Sequence, residues 1–316
     1  MRVRRLALVA AICWAVACLL TFKTPHCLAA EECPGGVCPV PMLGETALAF
    51  DAGQAYRDLV KQCEFGPRVP GTKAHEDCAA WLIGQLKPSA DSVTTQRFQV
   101  KVSGETLRLT NVIATINPKG KGHVLLCAHW DSRPHADQEP DPKKRSRPVP
   151  GANDGASGVA VLLEMARVLK AHPPKQKVTM VLFDGEDYGT DVKTMLLGSR
   201  HFAAHYRGER PDFAVLLDMV GDKNLHIPKE RYSVRRAGEV VERVWSAAAR
   251  AGSKAFVREI GPAVMDDHIP LLEKGIPCID IIDFDYPYWH TTADTPDKCS
   301  AASLGQVGRA LLEALR

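Results

Sequence analysis

Three runs of apolar, strand-forming residues each stop abruptly at acids or a histidine. His123–Ala128 leads into His129-Trp130-Asp131, Val178–Phe183 into Asp184-Gly185-Glu186-Asp187, and Phe213–Leu217 into Asp218. Helical stretches follow them in turn, at Val159–Ala171, Met195–Tyr206 and Arg235–Ala251. Continuous apolar strands alternating with helices argue for a mostly parallel sheet covered on both faces. The expected fold class is therefore α/β, a three-layer α/β/α sandwich around a mixed, mostly parallel central sheet. In such sheets ligands bind beyond the carboxyl ends of the strands, where the acids and histidines stand here.

The remaining elements fit that frame. Ala47–Cys63 and Ala74–Leu86 read as amphipathic helices joined by the loop Gly66–Gly71, and Gln96–Val102 with Leu107–Ile116 as a β-hairpin. Later come a strand at Ala255–Glu259, a short helix at His268–Lys274, a strand at Cys278–Ile282 and a closing helix at Ala302–Leu315. The loop Ser132–Gly151 holds five prolines; a loop of that length inside a compact domain is usually functional or disordered. Without internal repeats, residues 47–316 are expected to form a single domain.

Arg2, Arg4 and Arg5 precede the apolar run Leu6–Phe22 and the small residues Leu28-Ala29-Ala30. That is the layout of a signal peptide over residues 1–30, followed by a flexible Pro/Gly-rich leader over 31–46. The expected location is exported, periplasmic or secreted. Retention of the 17-residue apolar run as a membrane anchor is the alternative, and a lipoprotein signal at Ala15-Val16-Ala17-Cys18 a weaker third.

Three of the ten cysteines fall in that segment, leaving Cys33, Cys38, Cys63, Cys78, Cys127, Cys278 and Cys299. Export permits disulfides, with Cys33–Cys38 and Cys63–Cys78 as candidate pairs. The odd count leaves a free thiol, and Cys127 and Cys278, in apolar strands, are expected in the core. The net charge of +3, from 40 basic and 37 acidic residues, implies no polyanion partner and so no nucleic acid. The cluster Lys143–Arg147 reads as a solvated loop, and a monomer is expected.

The candidate chemical groups are His129, Asp131, Asp154, Glu186, Asp187, Asp218, Asp266, Asp267, His268 and His290. Each has a plain alternative taken singly: Asp154 as a helix N-cap, Asp218 as a strand-end turn residue, His290 as a loop histidine, Glu186-Asp187 as a solvated turn. Together they set several carboxylates and imidazoles at one edge of one sheet. Repulsion among that many acids demands a cation. Mixed nitrogen and oxygen donors suit zinc, with a position left open when the site is catalytic.

His129-Trp130-Asp131-Ser132, Asn153-Asp154-Gly155-Ala156-Ser157-Gly158, Glu186-Asp187, Asp218 and His290 resemble the ordered ligand set of the bacterial-aminopeptidase-like zinc exopeptidases, from about Phe50 onward. That resemblance implies a zinc-exopeptidase (phosphorylase/hydrolase-like) fold. Within the superfamily the chain is more similar to the zinc-dependent glutaminyl cyclases. The similarity includes Asn111-Val112-Ile113 with Asn117-Pro118, Gly66–Gly71, Gly198-Ser199-Arg200-His201 and Leu216-Leu217-Asp218. Its most specific parts are Asp266-Asp267-His268-Ile269-Pro270, Gly275-Ile276-Pro277 and Tyr286-Pro287-Tyr288-Trp289-His290. The Glu186-Asp187-Tyr188-Gly189 turn looks like the bacterial branch.

The resemblance implies an enzyme converting the N-terminal glutamine of peptides or proteins to pyroglutamate with release of ammonia. One zinc would be held by Asp154, Asp187 and His290, and Glu186 would shuttle the proton. Asp218 and Asp266 would steady the amine and the intermediate. Trp289 would wall the pocket, with Tyr286 a weaker aromatic candidate, and Asp131 would orient His129. The chain departs from the animal enzymes in three places: Asp187 replaces a Glu, Asp280 stands where they carry a histidine, and Met265 replaces a Gln.

Two other readings use the same residues. In a two-zinc aminopeptidase, Asp154 would bridge to a second metal held by His129 and Asp218, and Glu186 would activate water. A catalytically inactive interaction ectodomain would have lost a ligand or the shuttle, whereas every expected position is filled.

Overall fold

The structure, a computed structural model, describes residues 49–316. The expected signal peptide, the leader, and Cys18, Cys33 and Cys38 lie outside the described residues. A six-stranded sheet has the order β1-β2-β4-β3-β5-β8. Its strands are β1 (Ser92–Val102), β2 (Glu105–Ile116), β3 (His123–His129), β4 (Lys177–Phe183), β5 (Phe213–Asp218) and β8 (Cys278–Ile282). β4, β3, β5 and β8 run parallel, and the hairpin β1-β2 joins antiparallel at one edge. This is the mixed, mostly parallel sheet expected from the sequence.

The register levels the strand ends, since His129 stands opposite Phe183 and Cys127 opposite both Val181 and Leu216. Every residue of β3 and β5 is buried. That requires cover on both faces of the sheet. Helices α1 (Ala52–Glu64), α3 (Ala156–Ala171), α5 (Arg231–Arg250) and α7 (Ala301–Ala314) pack on one another. Helix α4 (Leu197–His205) packs on α6 (His268–Glu273), and α2 (Lys73–Leu86) lies against β2. Among the described residues no helix is long and apolar enough to cross a membrane.

Several details differ from the sequence expectation, among them α5 and β1, which begin four residues early at Arg231 and Ser92. The helix expected from Ala47 begins at Ala52, because the Asp51 carboxylate caps it by accepting the Gln54 N–H at 2.9 Å. The strand near Ala255 (β7, Phe256–Ile260) does not join the main sheet but pairs with the three-residue β6 (Ile227–Lys229). Cys63 and Cys78 are both free thiols, not a disulfide. Burial pushes Cys63 up to about 11 and Cys78 up to about 12, so neither supplies the thiolate that disulfide exchange requires. Cys127 and Cys278 are fully buried core residues, as expected.

α3 packs closely enough on the sheet to fix the loop that precedes it. A Cβ at Gly158 would lie 2.3 Å from the Leu217 carbonyl oxygen and 3.0 Å from Ala128 Cβ. Only glycine permits that approach.

Candidate active site

The acidic turn after β4 is held by carboxylates that accept backbone N–H groups. Asp184 belongs to the scaffold: one carboxylate oxygen lies 2.8 Å from His75 Nε2 and the other accepts the Thr110 N–H at 2.5 Å. Gly185 takes φ +72, and a Cβ there would meet Leu109 at 2.8 Å. Next, Asp131 at the end of β3 accepts the N–H groups of Glu186 and Asp187 at 3.1 and 3.2 Å. Asp131 also lies 3.4 Å from His129 Nδ1. It therefore ties two strand ends together as well as standing behind His129.

Asp154 does not cap α3. The N-cap is Gly155, at φ +97, with no side-chain bond. The Asp154 carboxylate is instead 3.1 Å from His129 Nε2 and 3.7 Å from His290 Nε2. Its loop is set by Asp294, which accepts the N–H groups of Asn153 and Asp154 and the hydroxyl of Tyr286. Asp218 ends β5 and is hydrogen-bonded to His129 Nε2 at 3.2 Å.

His290 arrives from a loop at φ +53. Its Nε2 lies 3.3 Å from Asp187 Oδ1 and its Nδ1 3.1 Å from Asp137 Oδ1. Burial opposes a charge on this ring, yet Asp187 and Asp137 together push it up to about 9. The five-proline loop reaches the site here. Arg133 is paired through Nη1 with Asp187 at 2.5 Å and through Nε with Asp137 at 2.9 Å. Arg133, Asp137 and Asp294 escaped sequence reasoning; the length of the loop was the one signal pointing to the first two.

Asp154, Asp187 and His290 each bring a ligand atom within 4.8 Å of the others, and so do His129, Asp154 and Asp218. Asp187 Oδ2 is buried with no hydrogen-bond partner. Burial, then the nearby charge of Asp154, pushes Asp187 above the usual carboxylate range. One imidazole and two crowded carboxylates fit zinc, whose charge would relieve both penalties. Asp266, His268 and Asp280 form a third buried group. His268 Nδ1 is 3.8 Å from Asp280 and Nε2 is 3.4 Å from Glu230, so His268 and Asp280 stand behind the cavity wall to which Asp266 contributes.

The ligands open onto a cavity of about 50 Å³, room for a few water molecules. Its polar wall is Asp154, Glu186, Asp187, Asp218, Asp266 and His290, and its apolar wall Met195, Met219, Val264, Met265, Ile282, Phe284 and Trp289. Trp289 stacks on His290 with centroids 3.9 Å apart. Burial foremost, then Asp187, Asp266 and Asp267 against the pull of His129, push Glu186 well above the usual carboxylate range. Burial and Asp218 push Asp266 up to about 7. Tyr286 does not line this cavity; it is 3 % exposed with its hydroxyl on Asp294. Phe284, 37 % exposed and 5.1 Å from the Trp289 ring, is the second aromatic wall.

Residues 111–315 match peptidase family M28. The glutaminyl-peptide cyclotransferase of Bos taurus is 28% identical over 239 residues, 64% of this chain and 64% of that protein, so the chain spans under two thirds of that relative's length. Aminopeptidase YwaD of Bacillus subtilis is 30% identical over 243 residues, 72% of this chain and 49% of that protein. Among solved structures, the glutaminyl cyclase of Tannerella forsythia is 39% identical with a TM-score of 0.82, over 84% of this chain and 98% of that one.

Proposed function

Because the chain belongs to peptidase family M28, and to the glutaminyl cyclases within it, we propose that it converts the N-terminal glutamine of peptides or proteins to pyroglutamate and ammonia. The observation that carries this over peptide hydrolysis is the composition of one cavity. Asp266, of the Asp-Asp-His-Ile-Pro run, and Trp289 line it together with Glu186 and the ligand set Asp154, Asp187 and His290.

The glutamine side chain would enter between Trp289 and Ile282, with its α-amine toward Asp218 and Asp266. Glu186 would take the proton that leaves the α-amine as its nitrogen bonds to the δ-carbon. It would return that proton to the side-chain nitrogen as the carbon–nitrogen bond breaks and ammonia departs. A carboxyl raised by burial suits this work, because it neither holds its proton too weakly nor gives it to bulk water. Zinc bound by Asp154, Asp187 and His290 would supply a Lewis acid for the side-chain carbonyl. The apolar wall would hold the chain curled, and an intramolecular closure gains much of its rate from that positioning.

A second reading, a two-zinc aminopeptidase, is favoured by the His129, Asp154 and Asp218 group. Glu186 would then deprotonate a water. Mass spectrometry of a Gln-initiated peptide after incubation separates the two: loss of ammonia supports the cyclase, loss of a whole residue the peptidase. The N-terminal segment supports export, with exported chains as substrates; the proposed enzyme is a monomer with one zinc in a single catalytic domain, residues 47–316.

A further inference from the structure

The cavity is small, about 50 Å³, so a peptide whose glutamine side chain fills it would carry its following residues outside it. Its rim is apolar: Met265 is 40 % exposed and Phe284 37 %. Met265 is also shared with a second, larger groove of about 380 Å³, lined by Tyr232, Arg235, Arg236, Met265, Ile269 and Glu273. The two spaces therefore adjoin across one flexible side chain.

The groove carries two guanidiniums against one carboxylate. Neither Arg235 nor Arg236 forms an ion pair among the described residues. The single hydrogen bond either makes there runs from Arg236 Nη2 to the Leu272 carbonyl at 2.9 Å. Arg235 is exposed on the first turns of α5, with its donors open to solvent. A guanidinium offers a planar fork of donors that a carboxylate meets with two parallel hydrogen bonds.

On the premise that the adjoining cavity cyclises glutamine, we infer that this groove receives the next residues of the substrate and favours an acidic side chain among them. The occupant is the substrate's own chain, since Met265 lines both the groove and the reacting cavity. Met265 and Tyr232 would cover the backbone of the second and third residues, and Arg235 would meet the carboxylate.

The test compares kcat/KM for ammonia release from Gln-initiated tetrapeptides with Asp, Ala or Lys scanned through positions two to four. At low salt one position should favour Asp over Lys by about 3- to 10-fold, the size expected of solvent-exposed charge pairs, and the preference should shrink in 1 M salt. Arg235→Glu should invert the Asp-to-Lys ratio, and Glu273→Lys should increase it. Equal rates for Asp and Lys peptides, with the Ala peptide still cyclised, would overturn the groove assignment alone. A preference that survives Arg235→Glu unchanged would overturn it too. Failure of every peptide to release ammonia would remove the cyclase reading as well.

Discussion

Asp137 Oδ1 stands 3.1 Å from Nδ1 of His290, on the far side of the ring from Asp187 and Asp154. The carboxylate comes from a proline-rich loop, and Arg133 clamps it through Nε at 2.9 Å. A carboxylate behind a ligating histidine sets the ring's orientation and raises its basicity.

Asp137→Asn should therefore weaken zinc binding by about 10- to 100-fold, read by competition against a chelating dye. Asp137→Glu should restore part of the loss. An unchanged zinc affinity in Asp137→Asn would show that Asp137 only anchors its loop.

Glu186→Gln keeps the shape of the side chain and removes its proton. Glu186 is outside the proposed ligand trio, and its backbone N–H is held by Asp131 regardless of the side chain. Zinc content should stay at the wild-type level while kcat falls by about 10²- to 10⁴-fold, the usual worth of a positioned acid–base group. Turnover within a few-fold of wild type would take the proton-transfer role away from Glu186.

The sequence revealed these residues unevenly, for physical reasons. His129, Asp154, Glu186, Asp187 and Asp218 sit where apolar runs end or a glycine-rich turn begins, so local periodicity marks them, and the structure brings them together. Arg133 and Asp137 lie in a loop without periodicity, whose course is set by distant contacts such as Gln138 N–H to the His290 carbonyl at 3.2 Å. Nothing local encodes that. β6 was missed because three residues are too short to show alternation.

Metal removal should make stability fall as pH rises. Without a cation, His290 is raised from 6.5 to about 9, so its contribution is full below pH 6.5 and lost on passing 9. Asp266, raised from 3.8 to about 7, acts in the same direction, favouring the fold below pH 3.8 and ceasing to do so as pH climbs through 7. The chelator-stripped protein should lose Tm steadily from pH 6 to 9, and the rise in Tm on adding zinc should be largest at pH 9, where protons compete least for the ligands. A stripped protein whose Tm increases across that range would contradict the buried, proton-holding site described above.

The two aromatics near the cavity should separate into a wall and a strut. Tyr286 is 3 % exposed and donates its hydroxyl to Asp294 at 2.7 Å, and Asp294 in turn accepts the N–H groups that shape the Asp154 turn. Tyr286→Phe leaves a buried carboxylate short of one donor, a loss of about 1–3 kcal/mol, so Tm should fall while KM for a Gln-initiated peptide changes little. Phe284 touches no such network and lines the cavity beside Trp289. Phe284→Ala should raise KM several-fold with Tm nearly unchanged, because a half-exposed ring adds little to the core. The opposite outcome, a KM effect confined to Tyr286→Phe, would return Tyr286 to the substrate wall and place the glutamine side chain deeper than Trp289 and Ile282 allow.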